Sequence, residues 1–262
     1  MRIIVKVGTS TLAHPNGRLN IRRTEELCKV LSDLKNAGHE IILVSSGAIG
    51  MGVGKLMLSS RPQDMPTKQA AAAVGQCELM YTYDKLFSEY HHTVAQLLLT
   101  GSDFQHEDRH TNFRNTMSRL LELQVLPIIN ENDTVATEEI AVGDNDTLAA
   151  IVAVSVNADL LVLLSDIDGL YTADPHKDPD ARLISVVETL DETIMSLGGD
   201  KGSSLGTGGM RTKLRAAQIC TEKGCDMVIS NGSDPGLLYD ICEGKQIGTR
   251  FVAHKGDGGS RC

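Results

Sequence analysis

The chain has 262 residues and a formal net charge of −9, a length that suits one large α/β domain or two small ones. Its acidity, its 3% aromatic content and its lack of Trp argue against a nucleic-acid partner or an anionic membrane surface. No apolar run approaches the ~20 residues needed to span a bilayer, and the apolar start of the chain is too short for a secretory signal, so a cytoplasmic protein is expected.

The predicted elements alternate between strand and helix. Ile3 to Val7 is a β-branched run that ends at Gly8. Asn20 is placed to cap a helix in which Leu27, Val30, Leu31 and Leu34 follow helical spacing, with Gly38 where a left-handed C-terminal glycine belongs. Ile41 to Val44 is a fully apolar strand that runs into Ser45-Ser46-Gly47. A mobile stretch from Met51 to Pro66 is expected next, then a long Ala-rich helix from about Thr67. Val94 to Leu99 reads as a strand, a helix passes through Met117 and Leu121, and Val125 to Ile129 is a strand. Leu148 to Val156 is helical in pattern and Leu160 to Leu164 is another apolar strand. Met210 to Lys223 reads as a helix closed by Gly224, Asp226 to Ser230 as a strand, and Phe251 as part of a short terminal strand.

Strands without polar alternation are buried on both faces, so the expected architecture is an α/β, three-layer αβα sandwich with a mainly parallel sheet. Ligands of such sheets bind beyond the carboxyl ends of the strands. Gly8-Thr9-Ser10, Ser45-Ser46-Gly47, Asn130-Glu131-Asn132-Asp133 and Ser165-Asp166 each follow a strand directly and are expected to gather at one edge.

The densest chemical signal is Gly206-Thr207-Gly208-Gly209-Met210-Arg211-Thr212-Lys213, a glycine-rich loop that opens a helix. Its amides, the helix dipole and the Lys213 ammonium suit a phosphate. The order Thr-Lys with no preceding Gly-Lys separates it from the standard P-loop. Lys6 stands inside a buried-type strand. It is either an edge lysine reaching for water or a second cation aimed at phosphate. Ser45-Ser46-Gly47-Ala48 reads as a capping turn or an anion cradle. Asn130 to Asp133 should stand at the mouth of the site, whereas Gly143-Asp144, opening the second acid and amide cluster, also reads as a solvated turn. Ser165 to Pro175 is a turn-rich connection or a nucleotide pocket, with Tyr171 offering surface to a base. EF-hand spacing is absent, and His106 and His110 lack the Glu of a zinc-binding pair, so both read as surface histidines. The six cysteines form no Cys-x-x-Cys pair and read as reduced thiols, several of them in the core.

Taken in order, these segments resemble the amino acid kinase family over nearly the whole chain. The most specific parts are Val5 to Ser10, Ser45 to Ile49, Ala73-Val74-Gly75-Gln76, Gln96 to Thr100, Ile129 to Asp133, Gly143 to Asp146, Gly169 to Pro175 and Gly206 to Lys213. The resemblance implies phosphorylation of the γ-carboxylate of L-glutamate by ATP with Mg²⁺, the first step of proline synthesis. By the same resemblance, Lys6 and Lys213 approach the transferring group and Asp146 orients them. Ser46, Gly47, Asp133 and Asn145 bind glutamate. Lys6, Gly8, Ser165, Asp166, Thr207, Gly208, Gly209, Met210, Arg211, Thr212 and Lys213 line the ATP site. No protein side chain is expected to hold the metal. Proline inhibition gated by Met51 to Pro66, a dimer or tetramer, and a transient contact with the reductase that consumes glutamyl phosphate are further expectations. Residues 1–254 are expected to form the kinase domain and 255–262 a polar tail, without the C-terminal PUA domain that many members carry.

Overall fold

Strands and helices alternate along the chain, as its apolar runs require. The computed structural model describes residues 1–14, 18–135, 144–175, 177–199 and 209–253. The first half contains β1 (Arg2–Val7), α1 (Thr9–Leu12), α2 (Ile21–Asn36), β2 (Glu40–Ser45), α3 (Ala48–Lys55), α4 (Met65–Ser88), β3 (Val94–Leu99), α5 (Gly101–Gln105), α6 (Glu107–Glu122) and β4 (Leu126–Glu131). The second contains α7 (Asn145–Ser155), β5 (Leu160–Ser165), β6 (Val186–Val187), α8 (Glu192–Ser196), α9 (Met210–Thr221), β7 (Asp226–Asn231), α10 (Leu237–Cys242) and β8 (Thr249–Phe251).

The strands form one sheet in the order β3-β4-β2-β1-β5-β7-β8-β6. Neighbours are parallel except for the antiparallel pair β7 and β8. Because side chains alternate across a strand, each central strand feeds two cores. Ile3, Val5 and Val7 join Leu43, Val162 and Leu164 against Leu27 and Leu31 of α2 and Leu79, Tyr83 and Phe87 of α4. Ile4 joins Ile42, Val44, Leu161, Leu163 and Ile229 against Met117 of α6, Leu148 and Val152 of α7 and Leu214 of α9. Each fully buried aliphatic side chain contributes about 1.5–3 kcal/mol. The same alternation assigns Lys6 to the face of Ile4, toward α7 and α9.

Local signals set most boundaries. The Asn20 side chain accepts from Arg23 N at the start of α2, and Gly38 holds φ +92° beyond its end. Asp64 caps α4 by accepting from Thr67 N, and Pro66 is tolerated in the first turn. The helix therefore begins at Met65, two residues before the expected start. The stretch Met51 to Pro66 is not one loop: Met51 to Lys55 belongs to α3, Met65 and Pro66 belong to α4, and only 56–64 is irregular. The glycines of α3 do not break it; they let α4 approach. A Cβ on Gly75 would lie 1.7 Å from Ala48 O, and one on Gly52 would lie 1.8 Å from Ala71 O. Further differences are smaller. Helix α9 ends at Thr221, and Gly224 (φ +82°) turns the chain into β7. Strand β3 is half-exposed rather than buried on both faces, because it forms the sheet edge. The tail expected at 255–262 lies outside the described residues.

Candidate active site

Strand β1 is flanked by β2 on one side and β5 on the other. The connections therefore diverge at the carboxyl end of β1, the place where an open parallel sheet forms a crevice. A solvent-open cleft lies there. Of the residues expected at the site, Lys6, Gly8, Ser46, Gly47, Asp133, Asn145, Asp146, Ser165, Asp166 and Lys213 all line it.

At its centre is a buried carboxylate between two ammonium groups. Lys6 Nζ lies 2.5 Å from Asp146 Oδ1, and Lys213 Nζ lies 3.0 Å from Asp146 Oδ2. Thr212 Oγ1 also donates to Asp146 Oδ2, at 3.2 Å. Asp146 and Lys213 come from the first turns of α7 and α9, so the starts of two helices deliver the carboxylate and one of its ammonium partners to the cleft. Burial alone would raise the Asp146 pKa. The lysines outweigh it and hold the carboxyl at about 2. Lys6 is thus not an edge lysine in water.

On the β2 and β4 side of the centre, side-chain amides form a chain that is buried at Gln76 and Asn130 and half-buried at Asn145. Asn130 Nδ2 donates to Gln76 Oε1 at 2.9 Å, and Asn145 Nδ2 donates to Asn130 Oδ1 at 3.0 Å and to Ser46 Oγ at 2.7 Å. Asn130 Oδ1 also accepts from Glu131 N, which fixes the amide's orientation. Ser46 Oγ accepts one bond and keeps its own proton for the cleft. Gly47 adopts φ +111°, a left-handed conformation that favours glycine, and opens α3 beside the cleft. Asp144 is no solvated turn: it is buried and caps α7, accepting from Thr147 N at 2.8 Å and Thr147 Oγ1 at 3.1 Å. Burial raises its pKa, the Thr147 amide opposing. Burial likewise raises Asp133, with the Arg61 charge opposing.

Other expected residues stand elsewhere. Gly209 caps α9, while Met210 and Arg211 lie in its first turn without lining the cleft. Gly143, Gly206, Thr207 and Gly208 lie outside the described residues. Tyr171 is not among the residues lining the cleft; its hydroxyl donates to Asp168 at 3.2 Å. His110 is not a free surface group, since its ring bonds Ser155 Oγ at 2.8 Å. Sequence reasoning gave no role to Gln76, and it covered Arg61 only as part of the expected gating stretch Met51 to Pro66. Gln76 lies in a recognised segment, but nothing local says that it reaches a strand 54 residues away.

Among the described residues, no group of three or more His, Cys, Asp and Glu could hold a metal ion. Also among them, no helix is long and apolar enough to cross a membrane.

Residues 1–231 match the amino acid kinase family. The chain is 51% identical over 260 residues to a glutamate 5-kinase of Clostridium perfringens, covering 98% of this chain and 97% of the relative. It is 54% identical over 253 residues to one of Clostridium tetani, covering 97% and 95%. A third, from Caldanaerobacter subterraneus, is 52% identical over 100% of this chain and 70% of its own length. Among solved structures, a carbamate kinase from Giardia lamblia bound to AMP-PNP superposes with TM-score 0.69 at 18% identity, covering 97% of this chain and 98% of the other. An isopentenyl phosphate kinase superposes at 0.67 and 20%, covering 96% and 100%. These two structures share the fold.

Proposed function

This chain belongs to the amino acid kinase family, and from that premise we propose that it transfers the γ-phosphoryl group of ATP to the γ-carboxylate of L-glutamate, giving L-glutamyl 5-phosphate in the first step of proline synthesis. The observation that carries this reading is the pair of lysines on the two oxygens of Asp146, at the carboxyl edge of the sheet.

A carboxylate is a competent nucleophile at neutral pH, so the acceptor needs no general base. Catalysis is then alignment of acceptor and donor, with neutralisation of the charge on the equatorial oxygens of the moving group. Lys6 comes from the strand and Lys213 from the helix facing it, so they reach that group from two sides. Asp146 holds both ammoniums in place before substrate arrives, which limits reorganisation during the reaction. Ser46, Gly47, Asp133 and Asn145 take glutamate; Gly8, Ser165, Asp166 and the loop of Thr207 to Lys213 take ATP. The carboxylates at the acceptor end favour a free α-ammonium over an acylated nitrogen.

A protein-held metal does not fit the described donor set, because Asp146 is engaged by lysines. Mg²⁺ is proposed to arrive with the ATP phosphates, and no step is routed through it. Proline, which carries a carboxylate and an ammonium as glutamate does, is proposed to compete at the acceptor end. A cytoplasmic homo-oligomer is proposed, with transient contact to the reductase that consumes the labile acyl phosphate.

The test is ADP release with Mg-ATP and hydroxylamine, which traps acyl phosphates as hydroxamates. L-glutamate, N-acetyl-L-glutamate and L-aspartate are compared, each with and without proline. Hydroxamate from glutamate alone is expected, less of it with proline. Turnover of another acid with none on glutamate would overturn the substrate assignment.

A further inference from the structure

We propose that Arg61 is the acceptor-specificity residue of the cleft: its guanidinium binds the α-carboxylate of the amino-acid substrate, opposite the Asp133 carboxylate that takes the α-ammonium. This rests on the glutamate reading above and adds to it a residue that the sequence patterns do not single out.

A glutamate acceptor brings two carboxylates and one ammonium into a cleft lined by Glu131, Asp133, Asp144, Asp146 and Asp166. The cations lining it, among the described residues, are Lys6, Lys213 and Arg61. Both lysines are paired with Asp146, where the γ-carboxylate must meet the phosphoryl group. The α-carboxylate lies at the other end of the substrate and needs a partner of its own. Left without one among five protein carboxylates, it would be repelled rather than bound.

Geometry places Arg61 for that task. It lines the same cleft as Asp133, and its charge acts on the Asp133 carboxyl against the effect of burial. Among the described residues its guanidinium makes no hydrogen bond and no ion pair within 4.0 Å; only its backbone carbonyl accepts, from Gln63. The planar fork of an arginine matches a carboxylate through two parallel bonds, which an ammonium cannot reproduce. Arg61 also lies in the irregular stretch 56–64. The two helices that bound it are locked together where Gly52 meets Ala71 and Gly75 meets Ala48. The stretch is therefore tethered at both ends, and from it the exposed Arg61 lines the cleft. The competing donor is the set of free amides in the first turn of α3, and the experiment separates the two.

Wild type, Arg61→Gln and Arg61→Lys are assayed by hydroxamate formation with L-glutamate and with its 1-amide, which keeps the γ-carboxylate and the ammonium but replaces the α-carboxylate. Where the amide binds without turnover, its inhibition constant against glutamate is read instead. Arg61→Gln should raise the glutamate KM by on the order of tenfold or more, leave the KM for ATP unchanged, and leave the amide unaffected. The preference for glutamate over its 1-amide then collapses, and Arg61→Lys restores it only in part. A parallel fall for both compounds, or no change for either, overturns the proposal, the latter in favour of the α3 amides. Wild-type protein inactive on glutamate would sink the glutamate reading itself, a result visible before any variant is compared.

Discussion

Lys6 on β1 and Asp146 on α7 meet at 2.5 Å, although 140 residues of chain separate them and Asp146 is only 1% exposed. With Lys213 on the other carboxylate oxygen, a strand lysine becomes one of two ammonium groups held on a single buried carboxylate, the proposed phosphoryl clamp.

Removing either arm of the clamp should leave the fold intact and the chemistry slow. Lys6→Met and Lys213→Met are each expected to lower kcat by at least the 10²–10³-fold typical of losing one electrostatic donor. Steady-state hydroxamate kinetics at saturating glutamate and ATP measure this. A loss confined to KM would assign the lysines to binding alone.

Asp146→Asn tests the positioning role. The two ammoniums lose their common anchor and repel each other, so kcat should fall by on the order of 10²-fold or more, while the amide still fits the space. The same residue has an acid signature. Its folded pKa of about 2 lies below the ordinary carboxylate value, so its contribution is fully present above pH ~4 and is lost as pH falls toward 2. That contribution amounts to about 2 kcal/mol. Urea unfolding at pH 7 and pH 3 should show a smaller pH-dependent loss in the variant than in wild type. Equal losses would contradict the assignment.

The amide chain behind the acceptor end should matter for glutamate and not for ATP. Gln76→Leu leaves the buried Asn130 Nδ2 without its acceptor, a cost of ~1–3 kcal/mol. The midpoint of thermal unfolding should drop by several degrees. Loosening of Asn130 passes to Asn145 and Ser46, so the glutamate KM should rise several-fold with the ATP KM unchanged. Gln76→Glu, which keeps an acceptor oxygen, should recover most of both effects.

Gly75 makes the sharpest steric prediction. A methyl group there would lie 1.7 Å from Ala48 O, a backbone atom that cannot move alone. Gly75→Ala should force α3 and α4 apart, lower the melting temperature and weaken glutamate binding through the displaced Ser46 and Gly47. Gly54→Ala, with nothing within 4 Å of its Cβ, is the matched control and should be neutral or mildly stabilising.

The sequence made the sheet and the centre of the site legible for a physical reason. Apolar strands that run straight into Gly8, Ser46, the Asn130 to Asp133 cluster and Ser165 place those residues at one edge, whatever the details of packing. A lysine in a buried strand needs a partner, and Asp146 is that partner. What stayed hidden depends on distance rather than pattern. The bond from Gln76 to Asn130 joins a helix to a strand with no local signature. The helical character of Met51 to Lys55 was masked by glycines, residues that here serve a close helix crossing rather than a break. The short α1, α5, α8 and α10 hold too few residues to display a period.

The central claim is that the phosphoryl group lands on the γ-carboxylate of glutamate. The most direct measurement uses glutamate labelled with ¹⁸O in that carboxylate, turned over with Mg-ATP and hydroxylamine. Hydroxylamine attacks C5 and expels phosphate with the former carboxylate oxygen attached, and ³¹P NMR reads its isotope shift. The account predicts one ¹⁸O in each phosphate released and one hydroxamate per ADP. Phosphate free of ¹⁸O, formed alongside ADP, would mean that the clamp serves transfer to water or to another acceptor, and would contradict it.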